Sequence, residues 1–181
     1  MSRGGIRDAG WGMRAVVVAS LVGASLIPLA SCGVYSFSGA TIPAQLETVA
    51  VPLAEDRSQG GPPGLDRLLT DALIDRFVDR SRLTLETDEG EADAVVRATI
   101  ERYAIAPVAV TDQNVAGLNR VSLGVRVVVE DRVENEELLS RTFTATADFA
   151  PAEGLQGEAD ASATALDQIA RDAFTAATSD W

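Results

Sequence analysis

The sequence predicts an α+β domain with a mainly antiparallel four-stranded sheet and two amphipathic helices packed on one face. Apolar and polar residues alternate through three segments after residue 93, which is the period of strands with one buried and one solvated face. Two other segments repeat apolar residues every three or four positions, which indicates amphipathic helices. The predicted order is β-α-β-β-β-α, with an extra short strand allowed after the first helix, and these elements bury their apolar faces as two layers.

The first strand is predicted at residues 46–53, where side chains alternate between two faces. Pro52 has no N–H to donate to a neighbouring strand, so the strand ends or lies at a sheet edge there. Residues 59–64 (Gln-Gly-Gly-Pro-Pro-Gly) form a loop before the first helix. This loop is not a phosphate-binding P-loop, because that motif requires a Lys and the chain has none.

The first helix begins at residue 65 and carries acidic residues on its solvated face. Its apolar stripe is formed by Leu65, Leu68, Leu69, Ala72, Leu73 and Phe77. The extra short strand is predicted at residues 82–86. A closing helix is predicted from about residue 161 to residue 177, and its many alanines predict a close approach to the sheet. Its stripe is formed by Leu166, Ile169, Ala170, Ala173 and Phe174.

The three long strands are predicted near residues 94–101, 120–130 and 139–149. The buried face of the first consists of Ala94, Val96, Ala98 and Ile100. The buried face of the second consists of Val121, Leu123, Val125, Val127 and Val129, and that of the third consists of Leu139, Phe143, Ala145, Ala147 and Phe149. Residues 131–137 form the turn between the last pair, and residues 107–119 form a longer connection whose role the sequence leaves open.

The N-terminus has the three zones of a secretory signal. Three arginines precede an uncharged, mostly apolar stretch at residues 15–28, which is too short for a transmembrane helix of about 20 residues. Residues 29–32 (Leu-Ala-Ser-Cys) then resemble the lipobox of bacterial lipoproteins, in which the Cys thiol receives diacylglycerol. We therefore predict a signal peptide at 1–31, lipid on Cys32, a tether at 32–45 and one domain at 46–181. The alternative is an ordinary secretory signal with a chance cysteine.

Composition excludes several functions. The chain has 15 Arg, 27 acidic residues, no Lys and no His, and its net charge of −12 disfavours binding to nucleic acid. Without His, a Ser-His-Asp triad, a Cys-His pair and a histidine metal site cannot be built. The acidic stretches 88–93 and 134–137 fall where turns are expected and lack EF-hand spacing. We predict no enzyme activity, no catalytic residue, no metal site and no cofactor.

Four arginines on the predicted strands have two interpretations. They could collect on the exposed sheet face, where guanidinium groups suit phosphate; these residues are Arg97, Arg120, Arg126 and Arg141. They could instead form cross-strand pairs that contribute roughly 0.2–1 kcal/mol each. The carboxylates available for such pairs are Glu101, Glu130 and Asp148. Because the chain is acidic, cross-strand pairing is the favoured interpretation.

Several short motifs, taken in order, resemble the LptE-type lipopolysaccharide-assembly lipoproteins. They start with residues 32–39 (Cys-Gly-Val-Tyr-Ser-Phe-Ser-Gly), Ile42-Pro43 and residues 48–52 (Thr-Val-Ala-Val-Pro). They continue with residues 73–77 (Leu-Ile-Asp-Arg-Phe), residues 92–95 (Ala-Asp-Ala-Val), Ile100 with Tyr103, and the terminal Trp181. The resemblance covers essentially the whole chain after the signal. It implies two helices on a four-stranded sheet.

The resemblance also implies a location and a partner. Such lipoproteins occupy the lumen of the LptD β-barrel in the outer membrane, support its assembly and assist lipopolysaccharide export. Gly33 follows the cysteine where enteric lipoproteins retained in the inner membrane carry Asp, which favours the periplasmic side of the outer membrane. The acidic body departs from the family in charge, so direct lipopolysaccharide binding stays open. The alternative function is a periplasmic lipoprotein that regulates a cell-wall synthase or another envelope complex.

Overall fold

A computed structural model describes residues 42–108 and 117–179. The signal peptide, Cys32, most of the predicted tether, the middle of the 107–119 connection and Trp181 lie outside the described residues. The strands are β1 Thr48–Ala50, β2 Glu55–Asp56, β3 Thr84–Leu85, β4 Ala94–Val108, β5 Leu118–Asp131 and β6 Glu136–Phe149. The helices are α1 Leu65–Ile74 and α2 Gly154–Ser179; a π-helical turn, Asp75–Asp79, extends α1, and a 3-10 turn, Pro151–Glu153, precedes α2.

The sheet is mixed and has six strands in the described ranges; its long pairings are antiparallel and its short ones are parallel. Strands β4, β5 and β6 form the predicted antiparallel meander, but β1 is parallel to both β3 and β4, and β2 is parallel to β4. The four-stranded antiparallel prediction is therefore only partly correct. Helix α1 lies between β1 and β3 in the chain and brings the chain back to the end of the sheet at which β1 began. β1 and β3 therefore run in the same direction.

Two boundaries differ from the sequence pattern for identifiable reasons. β4 continues to Val108, whereas the sequence pattern predicted a strand only to about residue 101 and a connection from residue 107. The pattern missed the continuation because a register shift between Ile100 and Arg102 interrupts the alternation of apolar and polar residues. After that bulge, Tyr103 pairs with Leu123 and takes the place of an even-numbered residue on the helix side. β1 spans only Thr48–Ala50 instead of the predicted residues 46–53; it stops before Pro52, which has no N–H to donate, and β2 resumes the same edge of β4 at Glu55.

The core lies between the sheet and the two helices and contains most of the predicted stripe residues. Leu65, Leu69 and Leu73 are buried, as are all five predicted positions of β5. Leu68 is wrong as a core prediction, because it lies at the margin of the α1 stripe and is 42% exposed. A small second cluster on the other face contains Ala50, Ala92 and Val95. Neither helix in the described ranges has the length and hydrophobicity needed to cross a bilayer.

Candidate functional site

The side chains of β4, β5 and β6 that point away from both helices form a surface that we name the open face. Its centre is rich in hydroxyl groups and small residues, because Thr142, Thr144 and Thr146 of β6 lie opposite Arg126, Gly124 and Ser122 of β5. The three threonines are exposed. In the described ranges no helix covers this face, so it meets its surroundings through hydroxyl and guanidinium groups.

Two of the four strand arginines form the expected cross-strand ion pairs on the open face. The Arg97 guanidinium donates to Glu130 at 2.7 Å and to Glu89 at 2.8 Å, and the Glu130 contact is the main cause that raises the pKa of Arg97. Arg120 donates two hydrogen bonds to Asp148, at 2.6 and 2.7 Å, and these lower the pKa of the Asp148 carboxyl. The pairing interpretation is confirmed for these two arginines.

The other two arginines have different surroundings. Arg126 stays on the open face and donates to the Ser140 hydroxyl at 2.7 Å rather than to Glu101. Arg141 lies on the opposite, helix-side face, where its guanidinium carbon is 5.5 Å from the centre of the Phe143 ring. The four arginines therefore do not form one phosphate-binding cluster.

A depression of about 190 Å³ lies on the open face, with Glu101, Arg102, Gly124, Thr142 and Thr144 around it. Both signs of charge are present. Its floor is Gly124, which leaves room because it has no side chain. The depression is polar and contains neither a candidate nucleophile–base pair nor an apolar interior, so it has the character of a contact surface rather than a substrate pocket.

A larger groove of about 380 Å³ lies between β6 and α2, and we name it the β6–α2 groove. It is lined by Arg141, Phe143, Asp172, Thr175, Ala176 and Ser179. Phe143 supplies an aromatic floor, whereas Arg141 and Asp172 contribute one charge of each sign. In the described ranges β6 pairs with β5 alone, so its other side is an outer edge of the sheet. The groove lies beside that edge.

Two carboxylates with structural roles were not identified from the sequence. Asp93 accepts hydrogen bonds from the backbone N–H groups of Glu47 and Thr48, both at 2.9 Å, and these lower its pKa. Asp131 is 2% exposed and accepts from the N–H groups of Val133 and Glu134 at 2.7 and 2.8 Å. The signal for Asp131 was an Asp at the start of a turn, where its side chain bonds the backbone ahead.

The acidic stretches do not assemble a metal site within the described residues, where no group of three or more candidate ligands occurs. Asp88 instead accepts from the Gly90 N–H at 2.8 Å, which is a turn contact. Glu136 and Glu137 are exposed at the start of β6. These carboxylates therefore stabilise a turn or add to the negative charge of the surface.

Comparison with known families identifies the folded body. The model of the LptE family, described as lipopolysaccharide-assembly, matches residues 46–177. The chain belongs to the LptE family. No curated protein sequence matches it. The family match begins at the segment before β1 and ends within the last turn of α2, so it covers all the elements described above.

Several solved structures align with the chain at low sequence identity. Protein XCC0632 from Xanthomonas campestris aligns with a TM-score of 0.52 and 12% identity over 77% of this chain and 90% of that one. Protein CT253 from Chlamydia trachomatis gives 0.49 and 14% over 75% and 99%. PelC from Paraburkholderia phytofirmans gives 0.46 and 13% over 72% and 90%. At these identities the similarity to XCC0632 concerns the fold alone.

Proposed function

We propose that this LptE-family chain is a lipid-anchored lipoprotein on the periplasmic side of the outer membrane. It occupies the lumen of an LptD-type β-barrel and supports lipopolysaccharide export. The observation that carries the proposal is the family match over residues 46–177, because it spans the complete folded body rather than one motif. The body acts by fitting against its partner and not by catalysis.

The surface of the body supports a role inside a polar lumen. The open face presents threonine and serine hydroxyls, and its arginines are held in hydrogen bonds to Glu130, Asp148 and Ser140. Hydroxyl groups can donate and accept, so they can pair directly or through water with polar side chains that line a barrel. A chain with a net charge of −12 also favours a partner surface that supplies basic groups.

Lipid on Cys32 would hold the body at the membrane where the barrel is found. Each buried CH₂ contributes about 0.8 kcal/mol, and two or three acyl chains together anchor a protein stably. The tether predicted at residues 32–45 has 14 residues. Fully extended, it spans at most about 50 Å, which limits how far the domain can lie from the bilayer surface.

Co-purification tests this function. The tagged full-length chain is expressed with the LptD-type barrel of the same genome, extracted in detergent and passed over a sizing column. We expect a stoichiometric complex of the chain with the barrel. The open-face variant Thr144→Arg should weaken the complex while leaving the melting temperature of the isolated chain unchanged.

The alternative function gives a different result in the same experiment. A regulator of a cell-wall synthase would purify with that synthase and leave the barrel behind. Recovery of the chain without any barrel, from cells that contain the folded barrel, would refute the proposed partnership.

A further inference from the structure

The outer edge of β6 is the longest edge of the sheet in the described ranges. β6 has 14 residues, whereas the opposite edge strand, β3, has two. An edge strand presents a row of unpaired backbone N–H and C=O groups, and proteins usually block such edges with Pro, Lys, bulges or short length. Between positions 139 and 147, β6 contains no Pro and no Lys, and Arg141 is its one charged residue there. Its register shift against β5 lies before this stretch, at Leu138. This edge is therefore open to pairing.

The β6–α2 groove lies beside this edge and gives it side-chain specificity. A strand that pairs with β6 would place every second side chain on the helix side of the sheet. One of these side chains would lie above Phe143 and Ala176, between Arg141 and Asp172. An edge strand beside a helix, with a groove between them, is the arrangement in which extended peptides add to a sheet.

The chemistry of the edge selects the occupant. Unpaired backbone groups are satisfied by another polypeptide backbone, which lipid tails and nucleic acid do not provide. Glu136, Glu137 and Asp172 outnumber Arg141 along the edge and groove, so they favour a neutral or basic segment. A second copy of this chain is disfavoured, because each copy has a net charge of −12 and the two would repel.

We propose that the edge of β6 and the β6–α2 groove bind an extended segment of the partner barrel, which adds to the sheet as a further strand. The segment carries Lys or Arg beside Glu136 and Glu137, and an aliphatic residue over Phe143. This inference rests on the proposed function, since it names the surface through which the body engages the barrel.

Amide hydrogen exchange on the purified full-length complex tests strand addition directly. In the isolated chain, the β6 amides that point towards β5 are already protected, whereas the alternate amides exchange rapidly. In the complex, we expect those alternate amides of residues 140–147 to slow by about tenfold or more, because they gain backbone acceptors. The amides of the turn at residues 132–135 should be unaffected and serve as the internal reference.

A matched pair of variants tests the groove. Thr175→Trp places an indole in the β6–α2 groove, and Thr84→Trp places the same group at the opposite edge of the sheet; both threonines are exposed. We expect Thr175→Trp to reduce barrel binding by about tenfold or more, as blocking a central contact does, and Thr84→Trp to have little effect. Unchanged melting temperatures show that both variants are folded.

The outcomes separate this inference from the function on which it rests. An intact complex in which the alternate β6 amides still exchange rapidly overturns strand addition and leaves the barrel partnership standing. Failure of the wild-type chain to bind the barrel overturns both. Protection of the β6 amides in the isolated chain, increasing with its concentration, identifies a second copy as the occupant and also overturns the inference.

Discussion

Arg76 is a charged residue buried between the two helices, where two carboxylates lie near it: that of Asp167 at 2.6 Å and, from its Nε atom, that of the adjacent Asp75 at 3.5 Å. Its side chain is 11% exposed, and a terminal nitrogen donates to Asp167 of α2 at 2.6 Å. The Nε atom of Arg76 has no hydrogen-bond partner in the described structure. Asp167 also accepts from Arg171 at 2.7 Å. The Asp167 carboxylate therefore neutralises a buried guanidinium and connects the end of α1 to α2.

Asp167→Asn should destabilise the domain, because Arg76 loses the closer of its two carboxylate partners and keeps only Asp75 at 3.5 Å. Asp167 is itself 43% exposed, so solvent screening limits the expected loss in unfolding free energy to about 1–2 kcal/mol. Urea denaturation measures this change. Asp160→Asn is the control, because Asp160 accepts from Gln156 of the same helix and forms no ion pair in the described ranges. Equal stability of the two variants would show that the Arg76 pair contributes nothing.

The same pair predicts a dependence on acid. Arg76 lowers the pKa of the Asp167 carboxyl in the folded chain, so the folded state binds its proton less readily than the unfolded state. The stabilisation is complete above the unfolded pKa of about 3.9 and is lost as the pH falls through the lower folded value. Asp167→Asn should remove that component, so its difference from the wild type should shrink as the pH falls below about 4.

Tyr103 predicts a change at the other end of the pH scale. Its hydroxyl donates to Glu158 at 2.7 Å, and burial, together with that carboxylate, raises its pKa to about 12. Ultraviolet titration should show a phenolate that appears well above the ordinary value of about 10 and disappears in Tyr103→Phe. The contribution of Tyr103 to stability should fall between about pH 10 and 12, because the unfolded phenol ionises first. A titration unchanged by the substitution would contradict this assignment.

At the scale of elements, hydrophobic periodicity predicted the strands that bury one face against the helix layer. β5 was predicted almost to its ends because a regular strand buries one face throughout, as Val121, Val125 and Val127 show. β2 was missed because its two residues, Glu55 and Asp56, are exposed and carry no apolar pattern. The parallel pairing of β1 was missed because strand direction depends on the path through α1 rather than on local sequence.

The candidate surface was predictable only in part for the same reason. The hydroxyl-rich side of β6 follows from its alternation, and so do the positions of Arg97 and Arg120. The β6–α2 groove does not, because it depends on where α2 lies relative to the sheet edge. Strict alternation places Arg141 on the same face as Phe143, so the expectation that it could join the other arginines on the exposed face was wrong.

The alanine stripe of α2 makes a prediction about packing. Ala170 and Ala173 are 0% exposed between the helix and the sheet, which leaves no space for longer side chains. Ala173→Leu should lower the unfolding free energy by about 1–3 kcal/mol through overpacking. Ala159→Leu is the control, because Ala159 lies on the same helix and is only half-buried. Thermal denaturation compares them, and an unchanged melting temperature for Ala173→Leu would show that the helix does not approach the sheet closely.

At the scale of the whole molecule, the proposed function gives the folded body and the predicted lipid anchor separate physical roles. In the described ranges, the body buries its apolar residues in one main core, and its larger surfaces are polar. On the proposed function, lipid on Cys32 attaches the chain to the membrane, whereas the open face and the β6 edge contact the partner barrel. The two roles should be separable by mutation.

Cys32→Ala should separate them. Without the thiol no diacylglycerol can be attached, so the chain should leave the membrane fraction, since each acyl CH₂ contributes about 0.8 kcal/mol of binding. The domain should still fold, because the main core of the described residues is formed between Leu46 and Ala177. Fractionation with immunodetection measures the first result, and the melting temperature measures the second.

Gly33→Asp is the companion variant: it keeps the lipid but should move the chain towards the inner membrane if sorting follows the enteric rule. Retention of Cys32→Ala in the outer membrane would mean that contact with the barrel, rather than lipid, holds the chain there.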